Sequence, residues 1–228
     1  MLIKPAIALF CAVLLLGGCA EFEAWSSSLN APATPTVTTE QVNKLYVTPS
    51  APADIASFRN IYIAPANLAN MQVIQPEGTP ANPEWWVTDE EGAVLQRTIA
   101  FEFSIALTAQ SDFTIVSSPQ QAQLIVNTAV VAVHPNETRA SLAKDLNTGG
   151  SITVSVAVAD AASGLVLLRS VDTRESEDIW AFNEITGEDP AFNGVFATWG
   201  VDLRRGILEL QGHSAEVLLP SPVSSAQN

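Results

Sequence analysis

Apolar positions recur along the chain with two periods. In Ser151–Ala159 (SITVSVAVA), Ile152, Val154, Val156 and Val158 alternate with small or polar residues. That is the two-residue repeat of a strand with one face buried and the other more open. Asp160-Ala161-Ala162-Ser163-Gly164 reads as a tight turn into Leu165–Val171, so the two runs predict an antiparallel hairpin. Gln123–Val133 (QLIVNTAVVAV), Phe113–Val116 and Asn60–Ala64 before Pro65 are further strand runs. The period lengthens after Thr88. Leu95, Ile99, Phe103 and Ala106 or Leu107 repeat at helical spacing to about Gln110, and Thr88 with Glu91 three residues on matches a capping box. A second amphipathic helix is marked by Phe192, Val195 or Phe196, Trp199, Leu203, Ile207 and Leu210.

The folded part is predicted to start at Leu45-Tyr46-Val47-Thr48-Pro49, with a short turn or helix at Asp54–Phe58. Residues 67–87 carry Pro76, Gly78, Pro80 and Pro83 and end in Trp85-Trp86, which reads as a long irregular loop. The order strand, helix, several consecutive strands, helix predicts an α+β two-layer sandwich: a mainly antiparallel sheet of about five strands with the two longer helices on one face. The domain is placed at 45–212, with a polar tail at 213–228.

The N-terminus has a different pattern. Lys4 precedes an apolar run, Pro5–Leu16, which ends in Gly17-Gly18-Cys19. This is a signal-peptide layout, and Leu16-Gly17-Gly18-Cys19 resembles the lipobox of bacterial lipoproteins. The resemblance implies cleavage after residue 18 and acylation of Cys19. The run is too short for a transmembrane helix, which needs about twenty apolar residues. A Cys11–Cys19 disulfide would join two points of a segment that cleavage separates. One acyl chain anchors only marginally, whereas two or three hold a domain stably. Residues 19–44, rich in Ser, Thr, Ala and Pro, read as a flexible tether. No Asp follows Cys19, a pattern that resembles lipoproteins sorted to the outer membrane; the domain is therefore expected at the periplasmic face of the envelope.

Charge narrows the partners. Ten basic against twenty-four acidic side chains give a net charge of −14, one more negative without Lys4. Such a field repels phosphate backbones and anionic headgroups, so nucleic acid is excluded and membrane attachment has to come from the lipid.

The series Leu45-Tyr46-Val47-Thr48-Pro49, Asp54, Phe58, Ile61-Tyr62-Ile63, Val133-His134-Pro135-Asn136, Asp160-Ala161-Ala162-Ser163-Gly164, Asp172 and Trp199 resembles the uncharacterised bacterial lipoproteins grouped as domain of unknown function 3313, over about 45–210. The resemblance implies a signal-bearing envelope lipoprotein with an α/β domain and no established activity.

Catalytic constellations are not apparent. There is no G-x-S-x-G, and the histidines are His134, at a strand end, and His213, past the second helix. No H-x-x-x-H occurs, and the acidic series Glu175, Glu177, Asp178, Glu184, Glu188, Asp189 lacks EF-hand spacing. Neither catalytic residue, metal nor cofactor is expected. Aromatic loops are the candidate interaction surface: Trp85 and Trp86, with Trp180 and Phe182 in the run Ile179-Trp180-Ala181-Phe182, would form an apolar patch with an acidic rim if they meet. Trp199 is assigned to the core. The sequence thus points to a non-enzymatic accessory or interaction subunit of an envelope complex. The alternatives are a carrier or sensor of an apolar envelope ligand held between sheet and helices, and a periplasmic hydrolase that depends on His134.

Overall fold

The computed structural model describes residues 46–47, 51–76, 87–136, 149–177, 179 and 190–213. All lie in one compact unit, Thr39–Asn228. Among the described residues there are seven strands: β1 (Tyr46–Val47), β2 (Asn60–Ile63), β3 (Gln72–Val73), β4 (Thr114–Ile115), β5 (Leu124–Pro135), β6 (Gly150–Asp160) and β7 (Val166–Ser176). Helix α1 spans Asp89–Thr108 and α2 spans Pro190–Leu210. The sheet order is β1-β7-β6-β5-β2-β4, with β3 also on β5.

The long β5–β6–β7 meander is antiparallel, as is β1 on β7, whereas β2 and β3 run parallel to β5 and β4 runs parallel to β2. Seven strands rather than about five reflect two short additions. Gln72–Val73 sits inside the span read as a loop at 67–87, where Asn67 bridges Ala129 and Val73 pairs with Val133. The stretch from β2 to β3 is one interrupted strand that follows β5. Its proline and amide residues hid the pairing from a periodicity argument. β7 also runs to Ser176, beyond the expected end at Val171.

Two bulges explain where strict alternation fails. In β5 the register against β6 shifts between Val130 and Ala132, so Val130 and Val133 both face the core although three residues apart. In β7 the shift at Val158/Ala159 leaves Leu167 as the extra residue, and Leu167 and Leu168 are both buried. At the β6–β7 turn, Asp160 accepts from the backbone N–H of Ser163 (3.0 Å) and from its hydroxyl, and Gly164 takes φ 71°. That carboxylate closes the turn and glycine supplies the left-handed residue.

Both helices cover one face. The capping box starts α1 as expected: Glu91 N–H donates to Thr88 Oγ1 (3.2 Å) and Thr88 N–H to Glu91 Oε2 (2.8 Å). Leu95, Ile99, Phe103, Ala106 and Leu107 are its buried stripe, and α2 contributes Val195, Phe196, Trp199, Leu203, Ile207 and Leu208. The helices touch closely at Gly200, where a Cβ would lie 2.8 Å from Ala106 Cβ and 3.2 Å from the Glu102 carbonyl. Further along, Arg204 Nε donates to Asp112 (2.8 Å) and Nη2 to Gln110 (2.8 Å) just past the end of α1. Gln211 ties the end of α2 to the carbonyls of Ile55 (3.1 Å) and Phe58 (2.8 Å) around the 3-10 turn Ile55–Ser57. Among the described residues no helix is long and apolar enough to cross a membrane.

Candidate functional site

The directions of these elements gather the chain's longer connections at one end of the sheet. β3, β5 and β7 finish there, β6 begins there, and α1 and α2 both start there. A polar cleft of about 300 Å³ opens at that end, lined by Ile74, Gln75, Pro76, His134, Pro135, Asn136, Gly150, Ser151, Glu175 and Ser176. Its floor is tight. A Cβ on Gly150 would sit 2.4 Å from the His134 carbonyl oxygen and 2.9 Å from Pro135 Cα, so only glycine allows β5 and β6 to close there. A second cleft of about 440 Å³ adjoins it between β7 and α2, sharing Glu175 and Ser176 and adding Arg174, Glu177, Gly194, Val195 and Thr198.

Register decides what the first cleft presents. His134 is opposite Ser151, and Ser151 is opposite Glu175. Directly paired residues share a sheet face, so imidazole, hydroxyl and carboxylate form a row on the face away from the helices. Loss of water around His134 lowers its pKa and favours the neutral ring. The row can exchange hydrogen bonds with a polar group, and Glu175 disfavours an anion. A hydrolytic relay needs the acid beside the imidazole and the imidazole beside the hydroxyl. Here Glu175 stands two strand spacings, about 10 Å, from His134. His213 lies past the far end of α2 and is exposed.

The wall towards α2 is held by a cluster that sequence reasoning reached only through Asp172 and Trp199 as family-like positions. Asp172 and Arg174 are opposite Val154 and Ile152 and so face the helices. Buried Asp172 accepts from Trp199 Nε1 (3.1 Å) and from Arg174 Nε (2.7 Å). Arg174 continues to Thr198 and to Asp202 (2.5 Å), and its guanidinium lies 5.0 Å from the Trp199 ring centroid. The spacing of Asp172 and Arg174 on one strand face, and of Thr198, Trp199 and Asp202 around one helix, was the available signal. Charge in a strand predicted to end at Val171 concealed it.

Of the aromatic candidates, Trp85, Trp86, Trp180 and Phe182 lie outside the described residues, as do Asp178, Glu184, Glu188 and Asp189. Ile179 is described and fully buried in the core, so it belongs to packing and not to a surface patch. Glu175 and Glu177 are exposed, and the described residues contain no group of three or more metal-ligating side chains. Trp199 is a core residue, 5.5 Å centroid to centroid from Phe196.

Fold and clefts together define a two-layer α+β domain with one face of its sheet under two helices and a polar rim where the loops depart. The chain belongs to the family described as "Protein of unknown function (DUF3313)", whose model matches residues 34–203. The match begins inside the segment read as a tether and ends before the second helix does. No curated protein matches the chain. Among solved structures it is similar to the PelC dodecamer from Paraburkholderia phytofirmans, with 14% identity, TM-score 0.40, and coverage of 75% of this chain and 99% of that one. Protein XCC0632 from Xanthomonas campestris gives 10% identity and TM-score 0.40, covering 68% and 86%. Lipoprotein GNA1162 from Neisseria meningitidis gives 7% and 0.34, covering 65% and 99%.

Proposed function

We propose that this protein is a lipoprotein of the bacterial envelope, acylated at Cys19, that acts as a non-enzymatic accessory subunit and docks through the loop end of its sheet. The observation that carries the docking surface is the convergence of strand ends. The connection containing Trp85 and Trp86 departs after β3, and the one containing Trp180 and Phe182 departs after β7. β3 and β7 are three strand steps apart at the same end, about 14 Å. The two connections leave from either side of one polar cleft, and their aromatic side chains are the proposed apolar anchors beside that polar rim. The absence of basic runs leaves the acyl chains of Cys19 as the means of attachment, and the residues after it favour the outer membrane.

A carrier role is less well served. Leu95, Phe103, Phe196 and Ile207 fill the layer between helices and sheet, so an apolar ligand there would have to part them.

In-cell crosslinking and affinity capture of the full-length protein test the proposal. Alanine at Trp85, Trp86, Trp180 and Phe182 should abolish capture of a specific partner while circular dichroism stays unchanged. Capture that survives all four replacements refutes the surface. Labelling with a palmitate analogue, lost in Cys19→Ala, tests the anchor separately.

A further inference from the structure

One step in from the cleft, the polar groups on the sheet face away from the helices satisfy each other. Thr153 and Thr173 are opposite one another and their hydroxyls hydrogen-bond at 2.7 Å, beside the methyl group of Ala132. The row at the cleft differs: among the described residues the side chains of His134, Ser151 and Glu175 have neither a hydrogen bond nor an ion pair. The cations of β7 are engaged or distant. Arg174 faces the helices and is bonded to Asp172, Thr198 and Asp202. Arg169 shares the face of Glu175 but lies six residues back along the strand, about 20 Å away. Ile74 lengthens the row on its other side. Its N–H donates to the Val133 carbonyl (2.8 Å), which carries the β3 register on and sets Ile74 beside His134. Ile74, 43% exposed, His134, Ser151 and Glu175 therefore cross four strands as apolar group, imidazole, hydroxyl and carboxylate. With His134 held neutral by loss of water, Glu175 is the formal charge among the described lining residues.

We propose that the cleft receives an arginine side chain of the docking partner, its guanidinium on Glu175 and Ser151. The inference deepens the docking reading above and rests on it for the partner's being a protein. Carboxylate and hydroxyl both accept hydrogen bonds, and they stand on neighbouring strands about 5 Å apart. A planar guanidinium with five N–H donors in a fixed fork reaches both acceptors at once, whereas an ammonium is a compact and more strongly hydrated point charge. The methylene stem lies towards His134 and Ile74, where a neutral ring and an aliphatic side chain give it apolar surface. About 300 Å³ is the lower limit of a small-molecule pocket and suits one side chain. The net charge of −14 favours a cationic visitor and speeds its approach.

Titration of the full-length protein with N-acetyl-arginine methylamide and with its neutral isostere N-acetyl-citrulline methylamide tests the proposal, followed by the backbone amide NMR shifts of Ser151 and Glu175. The arginine derivative should bind at least about five-fold more tightly than the citrulline one, the ratio that an exposed ion pair supports. Glu175→Gln should remove the preference, and Ser151→Ala should weaken arginine binding about two-fold. Glu209→Gln, an exposed carboxylate near the far end of α2, should leave both unchanged. Equal binding of the two derivatives, no binding of either, or a loss in Glu209→Gln as large as in Glu175→Gln would each overturn the proposal, the last by reporting attraction to the acidic chain as a whole. The docking reading is decided apart from this, by partner capture in the aromatic variants, so that either can fail while the other stands.

Discussion

Asp172→Ala is the substitution whose cost the structure specifies best. The carboxylate is buried and has two donors, the indole N–H of Trp199 and Nε of Arg174. Removing it leaves the indole N–H buried without an acceptor, a penalty of about 1–3 kcal/mol. Arg174 is partly exposed and keeps Thr198 and Asp202, so its share is well below the cost of stranding a buried charge, about 1 kcal/mol. The expected loss is about 3 kcal/mol, or roughly 6–12 °C in Tm for a domain of this size. Asp172→Asn keeps an acceptor for the indole and should lose only about 1–2 kcal/mol. Urea unfolding of both variants, followed by circular dichroism, separates these values. A cycle with Trp199→Phe should give a coupling of about 1 kcal/mol or more. The reasoning fails if Asp172→Ala stays within about 0.5 kcal/mol of the parent, the range of ordinary surface changes, or if Asn and Ala cost the same.

Gly200→Ala should lose about 1 kcal/mol, since overpacking against Ala106 and Glu102 outweighs the gain in helix propensity, whereas Gly194→Ala, with nothing within 4 Å of the new Cβ, should gain about 0.5–1 kcal/mol. Equal urea midpoints for the two would contradict the close helix contact. Thr128→Val should raise stability by about 1 kcal/mol, because its buried hydroxyl has no partner among the described residues; a lower Tm would show that it has one. For His134 the sign runs against acid: the folded pKa lies below 6.5, the unfolded chain binds the proton more readily, and stability is lost as pH falls through about 6.5 towards the folded pKa. His134→Gln should lose less stability than the parent between about pH 7.5 and 5.5, and an equal loss counts against the half-buried neutral ring.

The elements legible in the sequence were those whose burial is one-sided over a long stretch. The stripe Leu95-Ile99-Phe103-Leu107 and the alternation Ile152-Val154-Val156-Val158 each state a period and a face, and the capping box states where α1 begins. β1 and β3 are two residues each, too short for any period, and owe their existence to β7 and β5 beside them. Parallel pairing was hidden for the same reason, because it joins residues such as Ile61 and Leu124 that lie far apart in the chain. At the candidate site, His134, Ser151 and Glu175 carry no local motif. Only the register across three strands makes them neighbours, and a bulge at Val131 intervenes before it can be counted. Conversely, Asp160-Ala161-Ala162-Ser163-Gly164 was readable because its whole hydrogen-bond logic lies within five consecutive residues.

The sheet's mixed pairing also dictates an order of assembly. β5, β6 and β7 are consecutive in the chain and pair antiparallel, so their loop-closure entropy is lower than that of the parallel pairs and they can collapse early. β2 is made early as the chain emerges, yet its partners among the described strands, β5 and β4, follow α1. Until they form it has to wait with that edge open, and this is when the N-terminal half is most exposed to misassembly.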